Sequence, residues 1–295
     1  MISVLIPIYN FDVRQLVRDL HQQLAELAIP FEIICLDDGS TRYFKTLNHE
    51  IATLLHAAYE ELPENLGRSR IRNALAERAQ FTYLLFLDCD SRVPDKHYIR
   101  RYVEHLQPDL LLYGGRSYAT TPPDQPKLFF HWHYGTRREQ LPPTQRGLRP
   151  YHAFMTNNFL IPKNIFQIIR FDERLTQYGH EDTLFGMELE KRSVRILHLD
   201  NPLEHIGLED TETFLNKTRQ GIQNLARLSK QYPELDTKIL RIYRRLKQWN
   251  LTGLLYLILK ATQPFIMYNL KSGNPNLKLF DLYKLMSLIE YLKGK

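Results

Sequence analysis

Cysteine is nearly missing from this chain: Cys35 and Cys89 are the only two in 295 residues. Both stand in or beside apolar runs, so they read as inert core residues. No disulfide framework and no Cys/His zinc spacing is present. No Gly-x-Gly-x-x-Gly follows the first strand-like run, which excludes a dinucleotide fingerprint, and no Gly-x-x-x-x-Gly-Lys-Ser/Thr supports a P-loop. Internal repeats are absent. The longest apolar stretch, Leu251 to Leu270, is interrupted by Lys260, Gln263 and Pro264, whereas a membrane span needs about 20 mostly apolar residues. The first residues lack the basic, apolar, small-residue pattern of a secretory signal. Together with the scarce cysteine, this gives the expectation of a reducing, cytoplasmic setting.

What is there is an ordinary globular composition, 43% hydrophobic and 24% charged, with room for one large domain or a domain plus an appendage. The net charge of +6 is unevenly placed. From Asn216 to the end, 15 Lys/Arg stand against 4 Asp/Glu, a balance of +11, while residues 1–215 carry 24 against 29, a balance of −5. The expected division is a catalytic domain over 1–215 and a basic, helical region over 216–295, whose excess of cations favours an anionic partner.

Along the first part, strand and helix patterns alternate. Ile2 to Ile8 is a β-branched run ending at Tyr9-Asn10, with Pro7 near its end, where a missing N–H does least harm. Apolar residues from Val13 to Leu27 recur at spacings of three and four, as on an amphipathic helix. Phe31 to Leu36 is a second strand, ending in Asp37-Asp38-Gly39-Ser40, and helix is expected from there through about Tyr59. A turn at Asn65-Leu66-Gly67 opens an arginine-rich helix. The strand-like run from Phe81 then stops at Asp88-Cys89-Asp90. This βαβαβ order predicts a doubly wound, mostly parallel α/β sheet. In such sheets ligands bind at the carboxyl ends of the strands, and here those ends carry Tyr9, Asp37/Asp38 and Asp88/Asp90.

Alternate residues of an extended segment point the same way, so Asp88 and Asp90 can converge on one point. That suits a divalent cation carrying phosphates. Thr120 to Pro150 reads as a proline-rich loop, a common form of active-site cover. Within it His131 and His133 are expected on one strand face, without a metal role. Thr156 to Pro162 returns to strand. Glu181 and Asp182 open a helical run, where acids are favoured by the macrodipole and where one carboxylate can also be presented to a substrate.

These pieces together resemble the family 2 inverting glycosyltransferases of the glycosyltransferase A fold. The matching motifs are Ser3-Val-Leu-Ile-Pro-Ile-Tyr-Asn10, Asp37-Asp-Gly-Ser40, Asn65-Leu-Gly67 with Arg72-Asn73, Phe86-Leu-Asp-Cys-Asp-Ser91, Phe171-Asp-Glu173 and Gly179-His-Glu-Asp182. Their order and spacing match over about residues 1–205. The segment after Thr156 also looks like the carboxyl-terminal catalytic part of the galactosyl- and N-acetylgalactosaminyl-transferases. His180 departs from the family, which often has a second glycine there.

The resemblance implies transfer of a sugar from a nucleotide diphosphate, usually uridine diphosphate, with inversion, to a glycan or lipid-linked glycan. By motif position, the backbone around Pro7 to Tyr9 and the Asp38 side chain would hold the base. Arg72 would approach the donor and Asp88 the ribose. Asp90 would hold Mn²⁺ or Mg²⁺, with Asp88 beside it and His205 as a further ligand. Asp182 would be the general base, with Glu181 beside it holding the acceptor. No nucleic-acid partner is expected. A nucleotidyltransferase, which should carry a glycine-rich phosphate loop after the first strand, and an inactive sugar-nucleotide-binding module are the alternatives. The basic carboxyl-terminal region is expected to lie on the inner face of a membrane as a peripheral contact or to pack as a helical subdomain on protein.

Overall fold

The computed structural model describes residues 1–293, so the last two residues of the expected 216–295 region lie outside it. The chain forms two compact units. The first comprises Met1–Ala119, Arg138–Thr176 and Glu181–Gly207. The second comprises Thr120–Arg137, Gln177–His180 and the chain from Leu208 onward.

Ten strands belong to the first unit: β1 (Ile2–Ile8), β2 (Phe31–Asp37), β3 (Ala57–Glu61), β4 (Tyr83–Leu87), β5 (Ser91–Arg92), β6 (Leu110–Tyr113), β7 (Arg116–Ser117), β8 (Asn158–Pro162), β9 (Arg195–His198) and β10 (Leu203–His205). Seven build a sheet in the order β3-β2-β1-β4-β8-β6-β9. Every pairing in it is parallel except the two made by β8, against β4 and β6. The fold is therefore the mixed α/β class with a large, mostly parallel sheet.

Side-chain alternation explains why the sheet is covered on both faces. Ile2, Val4, Ile6 and Ile8 of β1 pack with Leu16, Val17, Leu20 and Leu24 of the helix Arg14–Glu26, and with Tyr98 and Tyr102. On the other face Leu5, Ile34, Leu36 and Phe86 meet Ile71 and Leu75 of the helix Arg68–Arg78, and an aromatic cluster of Phe159, Phe166, Phe171 and Phe185. Phe171 and Phe185 stack with ring centroids 4.5 Å apart.

Two expectations differ from the structure. The helix after Thr41 covers only Arg42–Asn48, continues as a 3₁₀ turn over His49–Thr53, and gives way to the edge strand β3. Tyr59 thus lies in a strand. The stretch from Thr120 to Pro150 is not a loop: it holds short helices at Phe129–Tyr134 and Pro143–Arg146, with a wider turn at Gly135–Glu139. His131 and His133 are on a helix, not a strand. The aromatic run Phe129-Phe130-His131-Trp132-His133-Tyr134 has apolar area to bury, and this overrides the breaking effect of the surrounding prolines.

Within the second unit, long helices at Thr211–Gln231, Lys238–Gln248, Thr252–Leu270 and Leu277–Leu292 follow one another. Three are started by side-chain caps: Asp210, Thr237 and Asn276 each accept from backbone N–H groups of the first turn. Phe130, Leu215, Leu259, Ile266, Leu270 and Phe280 are buried in its core. Among the described residues, no helix is long and apolar enough to cross a membrane.

Candidate active site

The sheet delivers its carboxylates as parallel strands must, at one edge, and each is then fixed by a different partner. Asp37 is fully buried and accepts from Ser40 N (2.7 Å) and the Tyr59 hydroxyl (3.0 Å), which closes the turn after β2. Asp38 reaches the next motif: its two oxygens accept from Leu66 N (2.6 Å) and Gly67 N (3.2 Å). Burial pushes the Asp38 carboxyl up against these two donors. Asp38 therefore ties Asp37-Asp-Gly-Ser40 to Asn65-Leu-Gly67. Gly67 sits at φ +83, a left-handed conformation that favours glycine, and leads into the helix Arg68–Arg78. Pro7 lies within β1, and Tyr9, just beyond it, is 54% exposed.

That helix presents Arg68, Arg72 and Asn73. Arg72 is buried and donates to Asp88 Oδ1 at 2.7 Å. Asn73 is locked to another motif: it donates to Phe171 O (3.0 Å) and Glu173 Oε1 (2.8 Å) and accepts from Phe171 N (3.0 Å). The second oxygen of Asp88 lies 3.3 Å from Arg116 Nη2. Both Asp88 oxygens are thus engaged by guanidinium groups.

Asp90 is carried into a second, three-stranded sheet, β5-β10-β7. In it His205 of β10 pairs with Ser91 of β5, and Ile206 N donates to Asp90 O at 2.9 Å. This backbone ladder sets His205 Nδ1 3.4 Å from Asp90 Oδ1. Gly207 follows β10; a Cβ there would lie 2.7 Å from Asp90 Cβ and Oδ2. Burial works to raise the Asp90 pKa, but His205, Arg116 and Arg68 outweigh it and hold the carboxyl well below the usual range. Asp90 Oδ1 is buried and accepts no hydrogen bond among the described residues. An acceptor left so, beside an imidazole, is the kind of donor pair that a hard or borderline divalent cation takes. Among the described residues no group of three or more His, Cys, Asp or Glu side chains is set to hold a metal, so substrate oxygens would have to complete the coordination.

The other acid pair starts the helix Glu181–Lys191. Glu181 is buried and receives Arg68 Nη1 at 2.9 Å. Burial would raise its pKa, yet Arg68 and Arg72 hold it low. Asp182 is half-buried and accepts from Thr183 N at 2.7 Å. Burial, and then the charge of Glu181, push it up to about 6. Arg68 acts on Glu181, Asp182 and Asp90 alike, so the acid pair and the Asp90 carboxylate share one electrostatic neighbourhood.

Sequence reasoning missed four residues here. Arg116 bridges Asp88 and Glu139 (3.2 Å), and the Tyr118 hydroxyl donates to Glu139. The missing signal is topological: β7 is two residues long, and only its pairing with β10 brings it to the site. Arg146 is the fourth. Its buried guanidinium donates to Leu199 O (2.7 Å) and Gly114 O (3.1 Å) and lies over the Tyr113 ring at 4.9 Å. It secures the chain between β6 and β7.

Residues 3–166 match Glycosyl transferase family 2. The chain belongs to that family. Among curated proteins, this family 2 member is 24% identical to chondroitin synthase of Escherichia coli over 190 residues, covering 54% of this chain and 28% of the relative. It is 35% identical to a putative teichuronic acid biosynthesis glycosyltransferase, TuaG, of Bacillus subtilis over 96 residues, covering 31% of this chain and 36% of the relative. The chain thus spans about a third of the length of these relatives. Among solved structures, it is similar to mannosyltransferase PcManGT of Pyrobaculum calidifontis, in complex with GDP-Man and Mn²⁺: TM-score 0.58, 14% identity, covering 99% of this chain and 87% of the other. It is also similar to S. aureus TarS 1–349 in complex with UDP: TM-score 0.51, 18% identity, covering 99% and 90%. At these identities the structural likeness is one of fold.

Proposed function

We propose that this family 2 chain transfers a sugar from a nucleotide diphosphate sugar, with uridine diphosphate as the leaving group, to a glycan or lipid-linked glycan, inverting the anomeric carbon. The observation that carries the reading is the split acid pair. Arg68 and Arg72 keep Glu181 ionised, while Asp182 is raised to about 6, near the pH at which a general base works best. Asp182 takes the proton of the acceptor hydroxyl as it attacks, and Glu181 holds the acceptor. Arg72 and Arg116 hold Asp88 against the donor's ribose. The backbone from Pro7 to Tyr9 and the Asp38-fixed loop flank the base. The complexes of the structural neighbours with UDP and with GDP-Man are in keeping with such a donor, and the names of the curated relatives point to glycan assembly.

Asp90 and His205 would hold Mn²⁺ or Mg²⁺. Bound there, the ion would neutralise the charge growing on the departing diphosphate. The orphaned Asp90 oxygen supports this. The region from 216 onward makes a peripheral contact with the inner face of a membrane.

The test is a panel of nucleotide sugars with Mn²⁺, read by release of the free nucleoside diphosphate. Slow hydrolysis yielding uridine diphosphate is expected. Pyrophosphate release in a parallel incubation with a nucleoside triphosphate and a sugar 1-phosphate would make the chain a nucleotidyltransferase, and binding of a nucleotide sugar without any release would make it a sugar-nucleotide-binding module.

A further inference from the structure

The helix Thr252–Leu270 is apolar nearly all round. One side is used: Leu259, Ile266 and Leu270 are buried in the core of the second unit. The other side is not. Leu254, Leu257, Ile258, Phe265 and Tyr268 are 51–79% exposed. Their spacing of three and four puts them in one stripe down the helix. Trp249, 65% exposed, stands just before its start. A helix apolar on all sides needs a second apolar environment, and a stripe of large exposed side chains marks an interaction surface.

The charges around the stripe say what covers it. From Lys238 through Phe280 the chain holds eight Lys/Arg and no Asp or Glu. Arg241 is paired with Asp236, and Arg244 donates to the carbonyls of Pro233 and Leu235. Arg245, Lys247, Lys260 and Lys271 are exposed and have no acidic partner among the described residues. By helical periodicity Lys260 and Lys271 fall on the border between the stripe and the buried side. An apolar strip edged by unpaired cations, with Trp249 and Tyr268 near its two ends, suits the headgroup level of a bilayer.

We infer that the exposed side of the helix Thr252–Leu270 lies in the surface of an anionic lipid bilayer, parallel to the membrane plane, with Arg245, Lys247, Lys260 and Lys271 among the headgroups. This rests on the peripheral contact proposed above and is independent of the transfer reaction. A second copy of this chain is disfavoured as the occupant, because two such surfaces would bring like charges together.

The experiment is flotation of the full chain with phosphatidylserine-containing and pure phosphatidylcholine vesicles at two salt concentrations. Two variants are compared: Leu254→Ser/Ile258→Ser/Phe265→Ser, and Arg245→Gln/Lys247→Gln/Lys260→Gln. The wild type is expected to float with the anionic vesicles, less so at high salt. The charge variant should bind on the order of 100-fold more weakly, and the stripe variant should stay at the bottom. Quenching of Trp249 emission by brominated anionic lipid, lost in Trp249→Phe, reports the depth. Each variant is first shown to melt as the wild type does. Wild type that stays at the bottom with anionic vesicles at low salt overturns the inference. So does a dimer in solution that the stripe variant dissociates. Nucleoside diphosphate release is measured without vesicles, so a failure there counts against the transfer reading alone.

Discussion

Two adjacent carboxyls at 181 and 182 carry different chemistry because their neighbours differ. Glu181 faces Arg68 and stays ionised, whereas Asp182 has burial and the Glu181 charge against it and titrates at about 6. Carboxyls pushed apart in this way can take separate acid and base roles, and separate roles are proposed for Glu181 and Asp182. Only the deprotonated Asp182 can accept a proton, so kcat/KM should rise tenfold per pH unit below about 6 and level off above it. Asp182→Asn should lower turnover by about 10²–10⁴-fold while leaving the thermal shift caused by uridine diphosphate unchanged. Normal turnover in Asp182→Asn, with loss in Glu181→Gln, would exchange the two roles. In the metal role proposed for it, Asp90→Ala should still unfold cooperatively without ligand, at a melting point a few degrees below the wild type because the stabilising pairing with His205 is gone. Its melting point should no longer rise when Mn²⁺ is added to the nucleotide-bound protein. A retained Mn²⁺-dependent rise would remove Asp90 from the metal.

Elements place these residues, and the smallest do so most tightly. The segment after β10 passes Gly207 against Asp90 only because no Cβ is present. Gly207→Ala should displace the Asp90 carboxylate and weaken nucleotide-dependent Mn²⁺ binding, seen by calorimetry, with a melting point within a few degrees of wild type. Arg146 holds the chain before β7 through backbone carbonyls. Arg146→Met should remove those donors and cost about 3 kcal/mol in chemical denaturation. How much of this is legible in sequence follows from the range of each interaction. Strands β1, β2 and β4 are apolar runs that end in Asp or Tyr, so period and punctuation reveal them, together with the carboxylates at their ends. β3 carries Tyr59-Glu60-Glu61 at the sheet edge, and its alternation is too polar to separate from a helix end. The antiparallel direction of β8 leaves no local mark at all. Arg72-Asn73 and Phe171-Asp-Glu173 are each visible as motifs. That Asn73 clasps Phe171 is a contact across 98 residues, which only the fold reveals. Arg116 stands in no recognisable pattern and reaches the site solely because β7 pairs with β10.

Across the whole molecule, a site held ready for chemistry is a site under electrostatic strain, and pH should expose it. Asp182 is raised from its ordinary 3.8 to about 6 in the fold. A group raised on folding contributes stability that is complete below its unfolded pKa and is lost as pH climbs through the folded value. Above pH 6 the folded protein therefore keeps an anion in a place that disfavours it. Asp90 and Glu181, both lowered, act in the opposite sense: their contribution is present above the unfolded values and disappears as the pH falls through the folded ones. The windows differ: the lowered pair changes its contribution below about pH 4.5, Asp182 between 3.8 and about 6, and replacing Asp182 isolates the second. Asp182→Asn keeps the shape and removes the charge, so it should be more stable than the wild type at pH 8. After discounting for the solvent that reaches this half-buried carboxyl, the gain is about 2 kcal/mol, or a few degrees in Tm. The gain should shrink steadily as the pH approaches 4, where the wild-type carboxyl is protonated as well. Calorimetric melting of both proteins from pH 4 to 8 measures it. A Tm difference that stays constant over that range would show that Asp182 titrates normally and is no raised base. A difference that narrows around pH 6 would link stability to the same ionisation as the activity profile.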